Sequence, residues 1–167
     1  MNLLEKEQKK HSDGFTLLEL IVAIFLAAFT LVALLGLSNY ALMSASKSKN
    51  KLTASFLAQE GIEVVRYIRE KQVDWDSWYV SLPSGNYIAQ YDSGSLAAFP
   101  GDIPLKINNS GFYQYNSGAN TPFYRKITIT KSPGGNSNEI KVVSEVKWKS
   151  TTGWSYLVVE DRLWNWR

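Results

Sequence analysis

Side chains able to carry acid–base or nucleophilic chemistry are sparse in this chain. It has no cysteine and one histidine, His11, which lies in a polar stretch before the first apolar run. A disulfide framework, a thiolate metal site, and histidine or cysteine catalysis in the folded part are thereby excluded. Carboxylates come in close pairs: Glu60 with Glu63, Asp74 with Asp76, Glu160 with Asp161. No pair brings the further ligands and glycine of a calcium loop. None is joined by a nucleophile, a base and an orienting partner. Glu60 and Glu63 fit a solvated helix face, Asp74 and Asp76 a turn or cap, Glu160 and Asp161 a strand end. The expectation is a non-enzyme without metal or cofactor.

One carboxylate is placed differently. Glu19 closes the stretch Gly14-Phe15-Thr16-Leu17-Leu18-Glu19 and directly precedes the uncharged apolar run Leu20 to Leu37. A carboxylate at the centre of a membrane helix costs about 2.5–3.5 kcal/mol on insertion scales. Near the end of the run the cost is smaller, but it still asks for a compensating cation. Thr16 and Glu19 also have the Ser/Thr-x-x-Glu spacing of a helix capping box. The two roles are compatible: Thr16 can cap the helix while Glu19 pairs with a cation.

The elements that must hold these residues follow from periodicity. From Phe15 to Leu37 the apolar run has 23 residues, where a helix needs about 20 to cross a bilayer core. A secretory signal has an apolar core of about 7–15 residues ending at small residues. Ala45 and Ser46 imitate such an end, but the run is too long, and a spanning helix is expected. Lys6, Lys9 and Lys10 precede it and Lys47, Lys49 and Lys51 follow, so lysine counting leaves its orientation tied. Gly36 and Ser38-Asn39 mark the place where a bend is easiest. Beyond the span, Ala54, Leu57, Gly61, Val64 and Ile68 form one apolar stripe, with Gln59, Glu63, Arg66 and Glu70 opposite. Glu63–Arg66 and Arg66–Glu70 have ion-pair spacing, worth about 0.2–0.5 kcal/mol each. One helix from Phe15 to about Lys71 is expected, roughly 85 Å long at 1.5 Å per residue. Gly61 inside the stripe costs about 1 kcal/mol against alanine, which predicts close approach of a strand or an aromatic ring.

Between Phe15 and Leu82 there is no proline and only two glycines; from Pro83 onward there are five prolines and eight glycines. A helical front and a strand-and-turn back follow. Val73 to Trp78 is expected to end the helix with two aromatics. Within an irregular Gln72 to Pro122, Asn86–Tyr91 and Gly111–Tyr115 are short strand candidates. Three longer runs alternate. Phe123–Thr130 places Phe123, Ile127 and Ile129 on one face; Ile140–Trp148 places Ile140, Val142, Val146 and Trp148 together; Trp154–Trp164 does so for Leu157, Val159 and Leu163. Turn signals at Pro133–Asn136 and Thr151–Gly153 separate them. A half-buried antiparallel meander packed on the helix stripe is expected. The fold class is α+β: a long N-terminal helix, membrane-spanning in its first half, with a C-terminal antiparallel β-sheet packed on its second half. A net charge of +3 and pI near 9.0 speak to solubility, not to a dedicated nucleic-acid surface. Aromatics beyond Trp75 fit a core better than a stacking platform for sugars or nucleic acid. Asn108-Asn109-Ser110 matches a glycosylation sequon by pattern.

Gly14-Phe15-Thr16-Leu17-Leu18-Glu19, followed by Leu20-Ile21-Val22-Ala23, resembles the cleavage and methylation signature of type IV prepilins. The short charged leader, the glycine before the cut, the phenylalanine after it and the acid five residues into the mature chain all match. Ala58 to Arg66, Ile127-Thr128-Ile129, Val146-Lys147-Trp148 and Leu163 to Trp166 are similar to minor pilins of the pilus-modification kind. Many major pilins carry a proline where Gly36 stands and a disulfide near the C-terminus; this chain has neither. The resemblance implies a pilin-like fold and three segments: a cytoplasmic leader 1–14, a membrane and filament-core helix 15–38, and an extracytoplasmic domain 39–167. It implies a prepilin peptidase that cuts between Gly14 and Phe15 and methylates the amine of Phe15. Glu19 would then be the counter-charge of that amine, between neighbouring subunits. Implied partners are the peptidase, other pilin subunits, an inner-membrane assembly platform and, before assembly, the lipid bilayer. The protein would be single-pass with a cytoplasmic N-terminus, then part of a cell-surface filament. Two other expectations stand beside the minor pilin: a pseudopilin of a type II secretion or DNA-uptake system, and a pilus-tip module binding DNA or carbohydrate.

Overall fold

The computed structural model describes residue 14 and residues 16–132, 138–150 and 153–165. The leader up to Asp13, Phe15, the Pro133–Asn136 turn, Thr151-Thr152 and Trp166 lie outside the described residues. The chain divides into two units, Met1–Ala45 and Ser46–Arg167, and helix α1 (Leu17–Glu70) contributes to both.

In the first unit α1 is regular and every described residue is exposed. It is long and apolar enough to cross a membrane. Thr30, the polar residue in its middle, donates its hydroxyl to the carbonyls of Leu26 and Ala27 at 3.0 and 2.9 Å. That bond keeps the hydroxyl satisfied within the helix. The helix continues through Gly36, where the sequence marks the easiest bend.

In the second unit α1 lies against one face of a seven-stranded antiparallel sheet. The strands are β1 (Gly85–Ile88), β2 (Ala97–Ala98), β3 (Pro104–Ile107), β4 (Tyr113–Gln114), β5 (Ala119–Lys131), β6 (Glu139–Ser150) and β7 (Gly153–Trp164). The expected meander is β5-β6-β7, registered through Phe123↔Trp148, Ile129↔Val142 and Ile140↔Leu163. On its other side β5 is flanked by two partners in succession. Its Ala119–Tyr124 part pairs β3, its Ile127–Ile129 part pairs β1, and β4 and β2 lie beyond them. The region expected to be largely irregular supplies four strands: β1 and β4 lie at the short candidates Asn86–Tyr91 and Gly111–Tyr115, while β2 and β3 are additions. It also supplies a second helix, α2 (Trp75–Ser81), where the sequence suggests only an aromatic end to α1.

The α1 stripe is buried as its spacing predicts: Ala54, Leu57, Gly61, Val64 and Ile68, with Ala58, Ile62 and Val65 beside them. Two apolar clusters form on it. Ala54, Leu57 and Ala58 meet Leu105, Phe123, Val146 and Trp148. Ile62, Val65 and Ile68 meet Ile127, Ile129, Ile140, Val142 and Leu163, capped by Trp75 and Trp78. Gly61 sits between the clusters, where a Cβ would collide with the Ser144 hydroxyl and lie 3.2 Å from Arg125 Cδ. The predicted close approach is by strand β6.

Candidate functional site

The N-terminal constellation is built from the start of α1. Gly14 and Thr16 are exposed and outside regular secondary structure; Phe15 lies outside the described residues. Thr16 accepts the first helical hydrogen bond, Leu20 N–H to its carbonyl at 3.1 Å. Its Oγ1 accepts the Glu19 amide at 3.3 Å. This is the threonine half of the expected capping box, and it satisfies one of the N–H groups left orphaned at any helix start. Glu19 is the acid of the first turn, where a negative charge complements the helix dipole. Of the residues singled out in the sequence, the structure brings Thr16 and Glu19 together. From Leu17 to Ala45 no other charged residue occurs. What this arrangement offers chemically is one carboxylate in the first turn of an apolar helix.

Among the described residues, no group of three or more His, Cys, Asp or Glu stands where it could hold a metal ion. Five of the six paired carboxylates, all but Asp76, have structural partners. Asp74 caps α2, accepting the Ser77 amide and hydroxyl, both at 2.9 Å. These bonds, the backbone one foremost, hold its carboxyl below the usual aspartate range. Glu63 and Asp161 share Arg66, at 2.7 and 2.8 Å. Glu160 pairs with Lys141 at 2.7 Å, and Glu60 with Arg125 at 2.9 Å.

Arg125 is the residue that apolar patterning misses. It lies on the inward face of β5 between Phe123 and Ile127, fully buried. One guanidinium nitrogen donates to Leu57 O and Glu60 Oε1, both at 2.9 Å, and the other to Ala89 O at 2.5 Å. Its own carbonyl accepts the Tyr115 hydroxyl at 3.2 Å, a group whose pKa burial pushes up. The guanidinium thus ties α1 and the end of β1 to β5, and the Arg125 carbonyl ties in the β4 region. Its position in the alternation, two residues from inward neighbours on either side, was the available signal. Ser144, opposite Gly61 on β6, is inward for the same reason.

The aromatics divide. Trp75, Trp78, Phe123 and Trp148 are core. Arg69 stacks over Trp75 with 5.1 Å to the ring centroid. Trp154, Tyr156 and Trp164 are exposed on β7, and Tyr91 and Phe112 form an exposed stacked pair, 4.7 Å apart, in the loops. Asn108 uses its side-chain oxygen to accept the Ser110 and Phe112 amides at 2.9 and 3.0 Å, which engages the sequon asparagine in a turn.

Compared with known proteins, the chain matches one family description, the prokaryotic N-terminal methylation motif, over residues 9–35. No curated protein and no solved structure matches it. The match covers the leader end, Gly14, Phe15, Thr16, Glu19 and most of the apolar run. The α+β architecture, an apolar N-terminal helix followed by an antiparallel sheet, is pilin-like. Over residues 9–35 the chain carries the methylation motif of prepilins, and its α+β architecture makes it similar to type IV prepilins.

Proposed function

We propose that the chain is a structural subunit, a minor pilin of a type IV pilus or related filament, and not an enzyme. Prepilin peptidase removes residues 1–14 by cutting after Gly14 and methylates the new amine of Phe15. Helix 15–38 holds the subunit in the membrane and afterwards in the filament core, while residues 39–167 lie outside the cytoplasm. The leader is then cytoplasmic, which resolves the orientation that lysine counting leaves tied. The observation that carries this is the methylation-motif match over residues 9–35, with Glu19 as the only charge between Leu17 and Ala45. A carboxylate there is costly until a cation joins it, and cleavage creates that cation four residues away. In low dielectric the two charges offset each other's desolvation, and either alone would be expensive.

The pseudopilin reading uses the same chemistry in another machine. The tip-module reading draws on the exposed aromatics of β7. The deciding experiment is intact mass spectrometry of the chain co-expressed in membranes with a prepilin peptidase. The expected product begins at Phe15 with one added methyl group. An uncut, unmodified N-terminus would remove the basis of the proposal.

A further inference from the structure

We infer that Lys47, Lys49 and Lys51 form a collar on α1 that binds the phosphates of anionic lipid headgroups, on the side of the membrane where the folded domain lies. The inference rests on the membrane anchoring proposed above and adds the class of lipid that the subunit holds before assembly.

The charge pattern comes first. From Leu20 to Gln59 the chain has no Asp or Glu, and its only charges are these three lysines. Each is exposed, and none has an ion-pair, hydrogen-bond or ring partner among the described residues. Lysines on the sheet are matched instead: Lys126 with Glu145 at 3.0 Å, Lys141 with Glu160 at 2.7 Å, Lys147 with Asp102 at 2.5 Å. A second copy has few carboxylates to offer the collar, because Glu60, Glu63, Glu145, Glu160 and Asp161 are already ion-paired.

Their angular spread points the same way. At 3.6 residues per turn, Lys47 and Lys51 share one face of the helix and Lys49 stands on the other. The face of α1 that packs on the sheet buries its first residue only at Ala54, so the collar is open all round. A protein partner reaches a helix from one side and would be met by a one-sided stripe. Headgroups surround a membrane helix on every side.

Depth completes the match. Past Leu37, Tyr40, Leu42 and Met43 are still 72, 67 and 61 % exposed, and tyrosine is enriched at membrane–water interfaces. Lys47 follows Met43 by four residues, about one helical turn. Helical side chains lean toward the N-terminus, and lysine carries its ammonium on a flexible apolar stem. The three ammonium groups therefore reach back to the headgroup level, where each is worth about fivefold in binding to an anionic surface.

The test measures the lipid selectivity of the full chain in bilayers of phosphatidylcholine with a minor share of phosphatidylglycerol, by electron spin resonance of spin-labelled forms of the two lipids. Lys6, Lys9 and Lys10 are changed to Gln throughout, so that the leader adds no selectivity of its own. Phosphatidylglycerol is expected to be held at the protein at least threefold over phosphatidylcholine, and high salt to reduce that preference. Lys47→Gln, Lys49→Gln and Lys51→Gln together bring the ratio to about one, while Lys47→Arg, Lys49→Arg and Lys51→Arg together preserve it. No preference in the parent, or an equal preference in the glutamine variant, overturns the inference. Loss of the preference in about 10 mM inorganic phosphate at constant ionic strength also overturns it, because free phosphate would then be the ligand. So does a dimer in pure phosphatidylcholine that the glutamine variant dissolves, because a second copy would then hold the lysines. Flotation with vesicles of phosphatidylcholine alone separates the collar from the proposal it rests on. A chain that floats without preferring phosphatidylglycerol refutes the collar only; a chain that does not float refutes the membrane anchoring and the collar with it.

Discussion

Glu19 and Arg125 are both charges set among apolar residues, and their partners lie in different places. Arg125 finds all of its partners inside the chain: Leu57 O, Glu60 and Ala89 O. Removing one partner of a buried ion pair strands the other, which is far costlier than never having made it. Because Glu60 remains about a third exposed, Arg125→Ala should cost near the lower end of that range, about 3 kcal/mol. Glu60→Ala should cost a similar amount, by stranding the buried guanidinium. The double variant should be less destabilised than the sum, with a coupling of about 0.5–3 kcal/mol. Urea denaturation of the four proteins measures this, and strict additivity would mean that the pair is not a unit. Glu19, by contrast, has its amide on Thr16 Oγ1 and no cation nearby among the described residues. If its partner is the amine of processed Phe15, Glu19→Ala should leave cleavage and membrane levels unchanged. Incorporation into sheared filaments should fall at least tenfold. Equal incorporation of the alanine subunit would show that the charge has no part in assembly.

At the scale of elements, the contact of α1 with β6 is set by Gly61. Alanine there would gain about 1 kcal/mol in helix propensity, but its Cβ meets the Ser144 hydroxyl. Overpacking of a tight core typically costs about 1–3 kcal/mol, so Gly61→Ala should be net destabilising. Ser144 Oγ is buried without a hydrogen-bond partner, and Ser144→Ala removes the colliding atom at little cost. Gly61→Ala with Ser144→Ala should therefore recover most of the loss in thermal midpoint; no recovery would place the strain elsewhere. Helix α2 is governed by its cap. Asp74 has a lowered folded-state pKa, so its contribution is present above the unfolded value of about 3.9 and lost as pH falls through the folded value. Asparagine caps a helix at any pH. The thermal midpoint of the wild type should therefore fall relative to Asp74→Asn as pH drops below about 4, and parallel curves would refute the capping role. These elements also show what the sequence could disclose. The α1 stripe and the three long strands repeat their pattern over enough residues for periodicity to emerge. The short candidates Asn86–Tyr91 and Gly111–Tyr115 found β1 and β4, whereas β2, two residues long, is shorter than any period, and β3 begins with a proline that argues against a strand. Helix α2 had a signal, Asp74 three residues before Ser77, hidden by the aromatics around it. Arg125 and Ser144 are polar residues at inward positions, which apolar alternation does not mark. At the N-terminus the Thr16 cap and the motif over residues 9–35 were legible, because both rest on contiguous residues and not on long-range folding.

For the whole molecule, burial is divided sharply along the chain. Every described residue from Thr16 to Lys49 is exposed, and the first buried one is Ala54. Both apolar clusters are made from residues between Ala54 and Leu163. Leu17, Leu18, Ile21, Ile24, Phe25 and Phe29, by contrast, expose more than half of their surfaces, a load that water does not tolerate in a monomer. The hydrophobic effect therefore acts twice, within Ser46–Arg167 to close a core and along Leu17–Leu37 to demand lipid or neighbouring helices. Cutting between the units should separate the two effects. A fragment of residues 46–167 keeps the whole core, the Arg125 bonds and the α2 cap, and should be monodisperse in water without detergent. Its urea unfolding should be a single cooperative transition, as expected for one domain of this size. The full chain should stay with membranes and need detergent for extraction. In the fragment, Leu57→Ala on the stripe should cost about 2–5 kcal/mol, whereas Leu52→Ala, an exposed position on the same helix, should change stability by about 0.5 kcal/mol or less. A fragment that aggregates without detergent, or in which the two substitutions cost the same, would mean that the core needs the first unit after all.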